Sequence, residues 1–594
     1  MDRFYPNKTI STTNRDPAFV TPEIKHLLRC KNKLIHKGKL EAAATLANKI
    51  RDKIARQNAS SFSKPCNGPK ELWERVRKLT GQTTHSTDAN KFDAEMLNKH
   101  YANVSTDLHY APPALKSTAS RFCEYLTEEE IFRMLDVGPT TASGMDGLPF
   151  WFLRVAAPSI SAPLAHLFNL SLSYSYVPPQ WKVGVITPVP KVSSPSSCSD
   201  FRPITVTPIL SRIFEKVVVR RFLYPVLTHK STRHLFQDQF AYRPTGSTTA
   251  AVICLLHRIS ELLLTNPFVH LIALDFSKAF DTVRHSTMMG KFSNFPIPDN
   301  VYNWVVNFLT NRCHHTKFSN LLSILAFINA SIVQGSGLGP CSFVLDASDL
   351  HPQDLINLLF KYADDMDLVV PASHTHTIQL ELDAILRWAS DNNLKLNVTK
   401  SCEMIVRRPR FAADDPAIPP PVSGLVRVTS LKTLGVTFSD RLDFSEHFRT
   451  VCSRAAGSMY ALRVLRAHGL QGKDLWQVCE ATTVSYLTYA SPAWWGYADA
   501  NSRQRLQSVL NKLKKHGFLP HEFPSHEELC EQMCRGLFNQ VLNNKFHVLH
   551  QLLPPEREMP YSLRPRAHNR TIPIAHNSAF KKNFMIAMLY QNCY

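Results

Sequence analysis

The chain has 594 residues, 44% of them hydrophobic, which suits a large core divided among several subdomains. Lys and Arg total 68 against 48 Asp and Glu, and the resulting formal charge of +20 fits a partner rich in phosphates, although evenly spread solvated charge gives the same total. Thirteen cysteines at irregular spacing argue against a disulfide framework and fit reduced thiols. The start, Met1 to Pro6, carries no signal core or targeting signal, and no apolar run approaches the roughly 20 residues of a membrane span. The expected location is therefore intracellular, nucleus or cytoplasm, with no membrane partner.

In chain order, residues 1 to about 64 begin irregular and then turn helical. Ile24, Leu27, Leu28, Leu34 and Ile35 recur near helical spacing among Lys25, Arg29, Lys31, Lys33, Lys37 and Lys39. This helix is either a basic arm for nucleic acid or a solvated face. A second amphipathic stretch runs from Glu71 to Leu79. Thr127 with Glu130 forms a capping box, and the Gly- and Pro-punctuated segment Thr141 to Pro149 follows. Lys182 to Pro190 and Phe201 to Thr205 predict a strand pair around a Ser/Pro-rich loop. Helices are expected at Pro208 to Leu223 and Thr249 to Leu264. Phe268 to Leu274, short and almost wholly apolar, predicts a buried central strand ending at Asp275. Tyr302 to Leu309 reads as helix, and Leu322 to Ile332 as strand or helix. Ile378, Leu382 and Ile385 mark an amphipathic helix. Short strands are expected at Leu394 to Leu396 and Met404 to Val406, and a loop at Pro416 to Pro421. From Phe444 to about Leu519 the pattern is mostly helical, with a basic end at Lys512, Lys514 and Lys515. The C-terminal stretch is basic around Arg564, Arg566 and Arg570.

The chemistry concentrates in Phe360 to Val370, where Asp364 and Asp365 stand side by side in an apolar, strand-like run. Adjacent half-buried carboxylates repel and are costly to desolvate unless a cation offsets them. A strand pair turning at Ala363-Asp364-Asp365 holds both at a tip, where they can bind divalent metal. Nucleotidyl transfer uses two such ions roughly 3.5–4 Å apart, held by carboxylates from neighbouring strands. Asp275, at the end of another strand, is the third candidate ligand by tertiary pairing, and together these point to a nucleic-acid polymerase.

Leu274-Asp275-Phe276-Ser277-Lys278-Ala279-Phe280-Asp281 resembles the first catalytic motif of reverse transcriptases from non-LTR (LINE-type) retrotransposons. Gln334-Gly335-Ser336-Gly337-Leu338-Gly339-Pro340 resembles their Gln-Gly motif, and Tyr362-Ala363-Asp364-Asp365 their catalytic hairpin. Leu394 to Lys400 and Leu431 to Val436 resemble the next two palm motifs. Val189-Pro190-Lys191 and Asp200 to Ile204 resemble the fingers strands, and Gln239 to Arg243 the segment after them. The motifs stand in the family's order over residues 126 to 440, with a weaker echo to about 520. The resemblance implies an α+β right-hand polymerase fold with fingers, an antiparallel-sheet palm and a helical thumb. It divides the chain into a basic helical N-terminal region (1–125), fingers and palm (126–440, core about 171–440), thumb (441–520) and a basic C-terminal extension (521–594).

Carried over by position, the resemblance makes Asp275 and Asp364 the main ligands of two Mg2+ ions, with Mn2+ as a substitute, Asp365 beside them and the Phe276 carbonyl completing the shell. Phe280 would exclude a 2′-hydroxyl, and Lys191 and Arg202 would clamp the triphosphate. Gln334 and Gly335 would let nucleotide and template approach closely. Lys400 would protonate the departing pyrophosphate, and Leu434-Gly435-Val436 would grip the primer. The implied partners are an RNA template, a DNA primer or target DNA, and deoxynucleoside triphosphates.

Plainer readings stand beside these. Asp275 suits a turn or cap, Asp365 electrostatic support, Phe280 core, and Lys191 or Lys400 an ordinary surface lysine. Asp281 reads as a local cap and Asp367 as structural. His526, Cys530, Cys534, His547 and His550 read as packed helices rather than a zinc site, because no Cys-x2-Cys pair accompanies them. Trp494 and Trp495 read as thumb core rather than base-stacking residues. Gly337 stands where relatives often carry a larger residue, which would loosen the loop. About 125 residues precede the polymerase region, with no acid/His set for a nuclease, and no ribonuclease H acid set follows the thumb. The expectation is a truncated element copy or its polymerase part. A maturase-like intron enzyme and an inactive nucleic-acid-binding remnant are the alternatives.

Overall fold

The structure is a computed structural model that describes residues 21–62, 91–117, 125–138, 141–412, 414–557, 568–574 and 578–591. The stretch Glu71 to Leu79 and the basic residues Arg564 and Arg566 lie outside these. The chain divides into two compact units: the described parts of 1–86, 444–491 and 498–534, and those of 87–443, 492–497 and 535–594. These cut across the four segments read from the sequence. Residues 91–117 and the described parts of 535–591 join the unit holding the sheets, and 521–534 join the helices after 444.

The first unit is helical. Thr21 accepts the Ile24 N–H at 3.3 Å and opens helix Pro22–His36, with Pro22 at its first position. Ile24 is buried in that helix, whereas Ile35 is exposed. Longer helices span Ser445–Ala467 and Ala500–Lys515.

The second unit holds the strands β1 (Val183–Pro190), β2 (Phe201–Val206), β3 (Phe268–Leu274), β4 (Arg312–Phe318), β5 (Leu321–Leu322), β6 (Ala326–Ile328), β7 (Leu358–Tyr362), β8 (Asp365–Pro371), β9 (Cys402–Arg407), β10 (Val426–Arg427), β11 (Ser430–Thr433) and β12 (Val436–Ser439). The central sheet has the order β10-β9-β3-β8-β7, antiparallel except between β10 and β9. Its middle strand β3 is buried on both faces, which is why it reads as a continuous apolar run rather than an alternation. Helices Thr248–Thr265 and Ile378–Asp391 supply core side chains to this unit. The second sheet joins β2, β1, β4, β5 and β6. β1 and β2 pair antiparallel with Val189 opposite Arg202, so Lys191 and Arg202 emerge at one end.

The α+β fold class agrees with the sequence reading, and the capping box at Thr127–Glu130 is present in full. Within Leu322 to Ile332, Leu322 ends β5 and Ala326–Ile328 forms β6, and the rest is not strand. Leu394 to Leu396 is not a strand: Leu396 makes a single bridge to Phe276, because the chain there pairs with residues that have already left β3. Two helices, Phe150–Ser173 and Thr248–Thr265, are long and apolar enough to cross a membrane by length and composition, contrary to the expectation that no run comes close. Thr248–Thr265 spends that apolar surface on the core.

Lys361 on β7 is 1% exposed, an expensive place for an ammonium. It lies 3.0 Å from Asp238 and donates to the carbonyls of Ala347 at 2.9 Å and Leu350 at 2.8 Å. Removing one partner of such a pair strands the other, at a cost of about 3 kcal/mol. Lys361→Ala should therefore lower unfolding stability in urea by about that much. A loss under about 1 kcal/mol would contradict the assignment of this pair as buried and essential.

Candidate active site

Asp275 follows β3 as the strand leaves the sheet. Its N–H donates to Ser401 Oγ at 3.2 Å, and its carbonyl accepts the Asn397 N–H at 2.7 Å. Ser277 N–H donates to the Lys395 carbonyl at 2.8 Å. With its neighbours making the bridge, Phe276 turns its own carbonyl away from Leu396. On the other side of β3, Leu274 pairs with Met366, and Tyr362 pairs with Asp365 across the hairpin. The turn is thus Ala363-Asp364, and Asp365 belongs to the ladder rather than to the tip. Ala363 has φ +57°, a left-handed conformation costly to a non-glycine residue. Buried Gln239 supports it: Oε1 accepts the N–H groups of Ala241 at 3.0 Å and Ala363 at 3.4 Å.

The register brings the three carboxylates into one field. Burial, then Asp275, raises the Asp364 carboxyl above the usual range, while Arg202 and Lys400 pull it back. Burial, then Asp364 and Asp275, pushes Asp365 up to about 6. Lys400 Nζ stands 3.7 Å from Asp275 Oδ2 on a largely exposed side chain. Hard oxygen donors that repel one another fit a divalent cation such as Mg2+. Among the described residues no three such side chains enclose an ion by themselves, so substrate phosphates and water would complete any shell.

The nucleotide side is built from β1, β2 and the Gln-Gly loop. Lys191 donates through Nζ to the Ser199 carbonyl at 2.9 Å, and burial, then Lys278 and Arg202, lowers its pKa. Phe280 is stacked on Phe343, centroids 4.7 Å apart, with the Tyr242 ring edge-on at 6.4 Å. Gly335 has φ +113°, and a Cβ there would lie 2.3 Å from the Thr205 carbonyl oxygen. The close approach that demands glycine is therefore that of β2. Thr205 N–H donates to the Gln334 carbonyl at 2.9 Å. Gly337 is also tightly placed: a Cβ would meet Lys216 Cγ at 3.1 Å, and its N–H donates to Glu215 at 2.6 Å.

Three residues of this region escaped the sequence reading. Glu215 is fully buried, held by Ser211 at 2.7 Å, and anchors the Gln-Gly loop. Its signal was an acid on the apolar face of helix Ile209–Val218. Asp281 is not a cap. It sits inside the short helix Ala279–Thr282 and accepts Gln334 Nε2–H at 2.8 Å, and burial pushes it up to about 6. His100, from helix Ala94–Val104, lies 3.2 Å from Lys278 Nζ, and nothing in its neighbourhood in the sequence announced that.

The remaining candidates lie elsewhere. Leu434 and Gly435, with φ +49° and +88°, form the turn of the β11–β12 hairpin and continue into Val436. That hairpin is tied to β9 by the Val428 N–H bond to the Glu403 carbonyl and by the Arg407–Asp440 ion pair. His526 pairs with the Leu487 carbonyl at 2.9 Å, and His550 with that of Val541 at 2.9 Å. Trp494 and Trp495 are buried. Asp367 is buried as well, and burial followed by Asp365 pushes it up to about 7.

Comparison with known proteins gives these elements a common source. Residues 189–438 match the family model described as reverse transcriptase (RNA-dependent DNA polymerase). The chain is 27% identical over 409 residues to a protein named probable RNA-directed DNA polymerase from transposon BS of Drosophila melanogaster, covering 65% of this chain and 44% of that one. It is 25% identical to the probable RNA-directed DNA polymerase from transposon X-element of the same organism (59% and 39% covered). It is 26% identical to the RNA-directed DNA polymerase from mobile element jockey, again of Drosophila melanogaster (58% and 40%). The chain spans less than half the length of these relatives. Among solved structures, apo telomerase from Candida Tropicalis aligns over 64% of this chain and 66% of that one, at TM-score 0.35 and 12% identity, too loose a match to carry weight. Residues 189–438, with the motifs in order and the strands that carry them paired around Asp275 and Asp364, match a reverse transcriptase domain of right-hand polymerase fold, and the chain is similar to the RNA-directed DNA polymerases of non-LTR retrotransposons.

Proposed function

We propose that this chain extends a DNA primer on an RNA template by two-metal nucleotidyl transfer, taking deoxynucleoside triphosphates as substrates inside the cell, in nucleus or cytoplasm. The observation that carries this reading is the convergence of Asp275 with Asp364 and Asp365 across the β3–β8 ladder, with Arg202 close enough to act on Asp364. Two Mg2+ ions, when bound, would neutralise the attacking 3′-oxygen and the leaving pyrophosphate. Asp275, Asp364 and Asp365 would hold them, with the Phe276 carbonyl. Lys191 and Arg202 orient the triphosphate, Arg202 by its planar fork and Lys191 as a point charge. Lys400, 3.7 Å from Asp275, would give its proton to the departing pyrophosphate. Phe280, braced by Phe343, walls the sugar against a 2′-hydroxyl. Gln334, fixed by Asp281, meets the nucleotide, and the Leu434–Val436 turn holds the primer. An inactive remnant is the second reading, and the intact carboxylates and clamp residues speak against it.

Primer extension on an RNA template with Mg2+ tests this directly. Asp364→Ala should lose at least about 10³-fold in rate, since several kcal/mol of charge stabilisation disappear. Equal signals from wild type and variant would sink the catalytic assignment. Phe280→Val should raise ribonucleotide incorporation relative to deoxynucleotide by about tenfold, alongside the modest loss of stability expected from losing the stack on Phe343. No change in that ratio would remove Phe280 from sugar selection. Because the Asp281 pKa is raised to about 6, its carboxyl is neutral below that pH and ionised above it. Its bond from Gln334 weakens on protonation, so KM for nucleotide should climb as pH falls through about 6. Asp281→Asn should lack that component. Superimposable profiles for the two proteins would show that Asp281 does not position Gln334.

A further inference from the structure

A second cationic site lies apart from the carboxylates, in the same unit. A cavity of about 230 Å³ is lined by Arg233, Arg243, Lys545, Phe546, His547 and His550, and no carboxylate lines it. The acid whose charge acts on Arg243, Asp238, is paired with Lys361 and His351, each at 3.0 Å. Arg243 spends Nη1 on the carbonyls of Phe236 and, at 3.1 Å, Gln239. Its Nε is buried without an acceptor among the described residues. That nitrogen is turned away from the cavity, so Arg243 meets a ligand there as a lining guanidinium and not through Nε. Arg233 is exposed and makes no ion pair among the described residues. His547 Nδ1 accepts the Leu549 N–H at 3.1 Å, which leaves Nε2–H as a donor. His550 donates Nδ1–H to Val541, so it adds charge only when doubly protonated. Phe546 is 49% exposed at the rim, with Lys545 Nζ 5.3 Å from its ring centre.

Two guanidinium groups without a carboxylate partner, an ammonium and an exposed aromatic ring around one cavity match a phosphodiester with a neighbouring base. We propose that this cavity is a single-stranded nucleic-acid subsite, in which Arg233, Arg243 and Lys545 hold a backbone phosphate and Phe546 stacks on an adjacent base. It draws on residues beyond the 189–438 domain. Its walls are joined to the catalytic hairpin by the chain between Arg233 and Arg243: Gln239 holds Ala363, and Tyr242 stands edge-on to Phe280. A strand seated here is thus held beside the polymerase site without using it.

Fluorescence anisotropy with labelled single-stranded RNA and DNA 20-mers tests the subsite on the full chain, without nucleotide or divalent metal, so the outcome does not depend on catalysis. The double variant Arg233→Gln/Lys545→Gln should bind at least one of the strands about tenfold more weakly, and the slope of log K against log salt should fall by about 1.4, the contribution of two cations on a single strand. Phe546→Ala should weaken binding about fivefold and Phe546→Trp should retain it. Which strand loses affinity identifies the source of the phosphate. Unchanged affinity and slope for both strands would overturn the proposal, as would equal loss in Phe546→Ala and Phe546→Trp. Protection by inorganic phosphate alone, with strand binding unaffected by all the variants, would also overturn it.

Discussion

The active site depends on the register between β3 and β8. Leu274 opposite Met366 sets Asp275 beside the Ala363–Asp365 turn, and a slip of one residue would turn each side chain to the other face of the sheet. That register costs something. It forces three carboxylates together, and burial plus mutual repulsion raises Asp364 and Asp365 above the usual carboxylate range. The fold therefore carries an unfavourable charge cluster that only cations relieve. Lys400 offers part of that relief, and the substrate-bound metals of the proposed reaction would offer the rest.

The surroundings hold this strained arrangement from behind. Gln239 accepts the Ala363 N–H and fixes a left-handed turn. Lys361, one residue before Tyr362, is clamped by Asp238 and two carbonyls. Glu215 anchors the Gln-Gly loop from below, while the Thr205 backbone presses against Gly335. These contacts come from segments far apart in the chain, so the geometry of the carboxylates is set by tertiary packing and not by the hairpin alone. Preorganisation of this kind keeps charged groups in place before substrate arrives.

Much of this was legible in the sequence where local rules decide. β3 is a short apolar run with a defined end, and the Thr127–Glu130 box caps a helix as its spacing requires. The carboxylate pair could be read because acids are costly in an apolar strand. What could not be read depended on contacts distant in the chain. Asp281 looks like a cap by its neighbours and becomes a partner of Gln334 only when the Gln-Gly loop folds over it. Gly335 looked free for a ligand because β2 was not yet beside it. Leu394 to Leu396 had strand composition, but its partner had already left the sheet. The unit boundaries were hidden for the same reason, since helix Ala94–Val104 reaches the second sheet, and the helices Ser578–Lys581 and Phe584–Gln591 reach helix Thr248–Thr265, only in three dimensions.

The central claim is that Asp275 and Asp364 hold the metals of nucleotidyl transfer. A structure of the chain with an RNA template, a 3′-deoxy-terminated DNA primer, an incoming nucleotide and Mg2+ tests it most directly. The account predicts two ions roughly 3.5–4 Å apart, each with oxygen ligands near 2.1 Å drawn from Asp275, Asp364 and the triphosphate. Ions bound elsewhere, with no oxygen of Asp275 or Asp364 among their ligands, would contradict it.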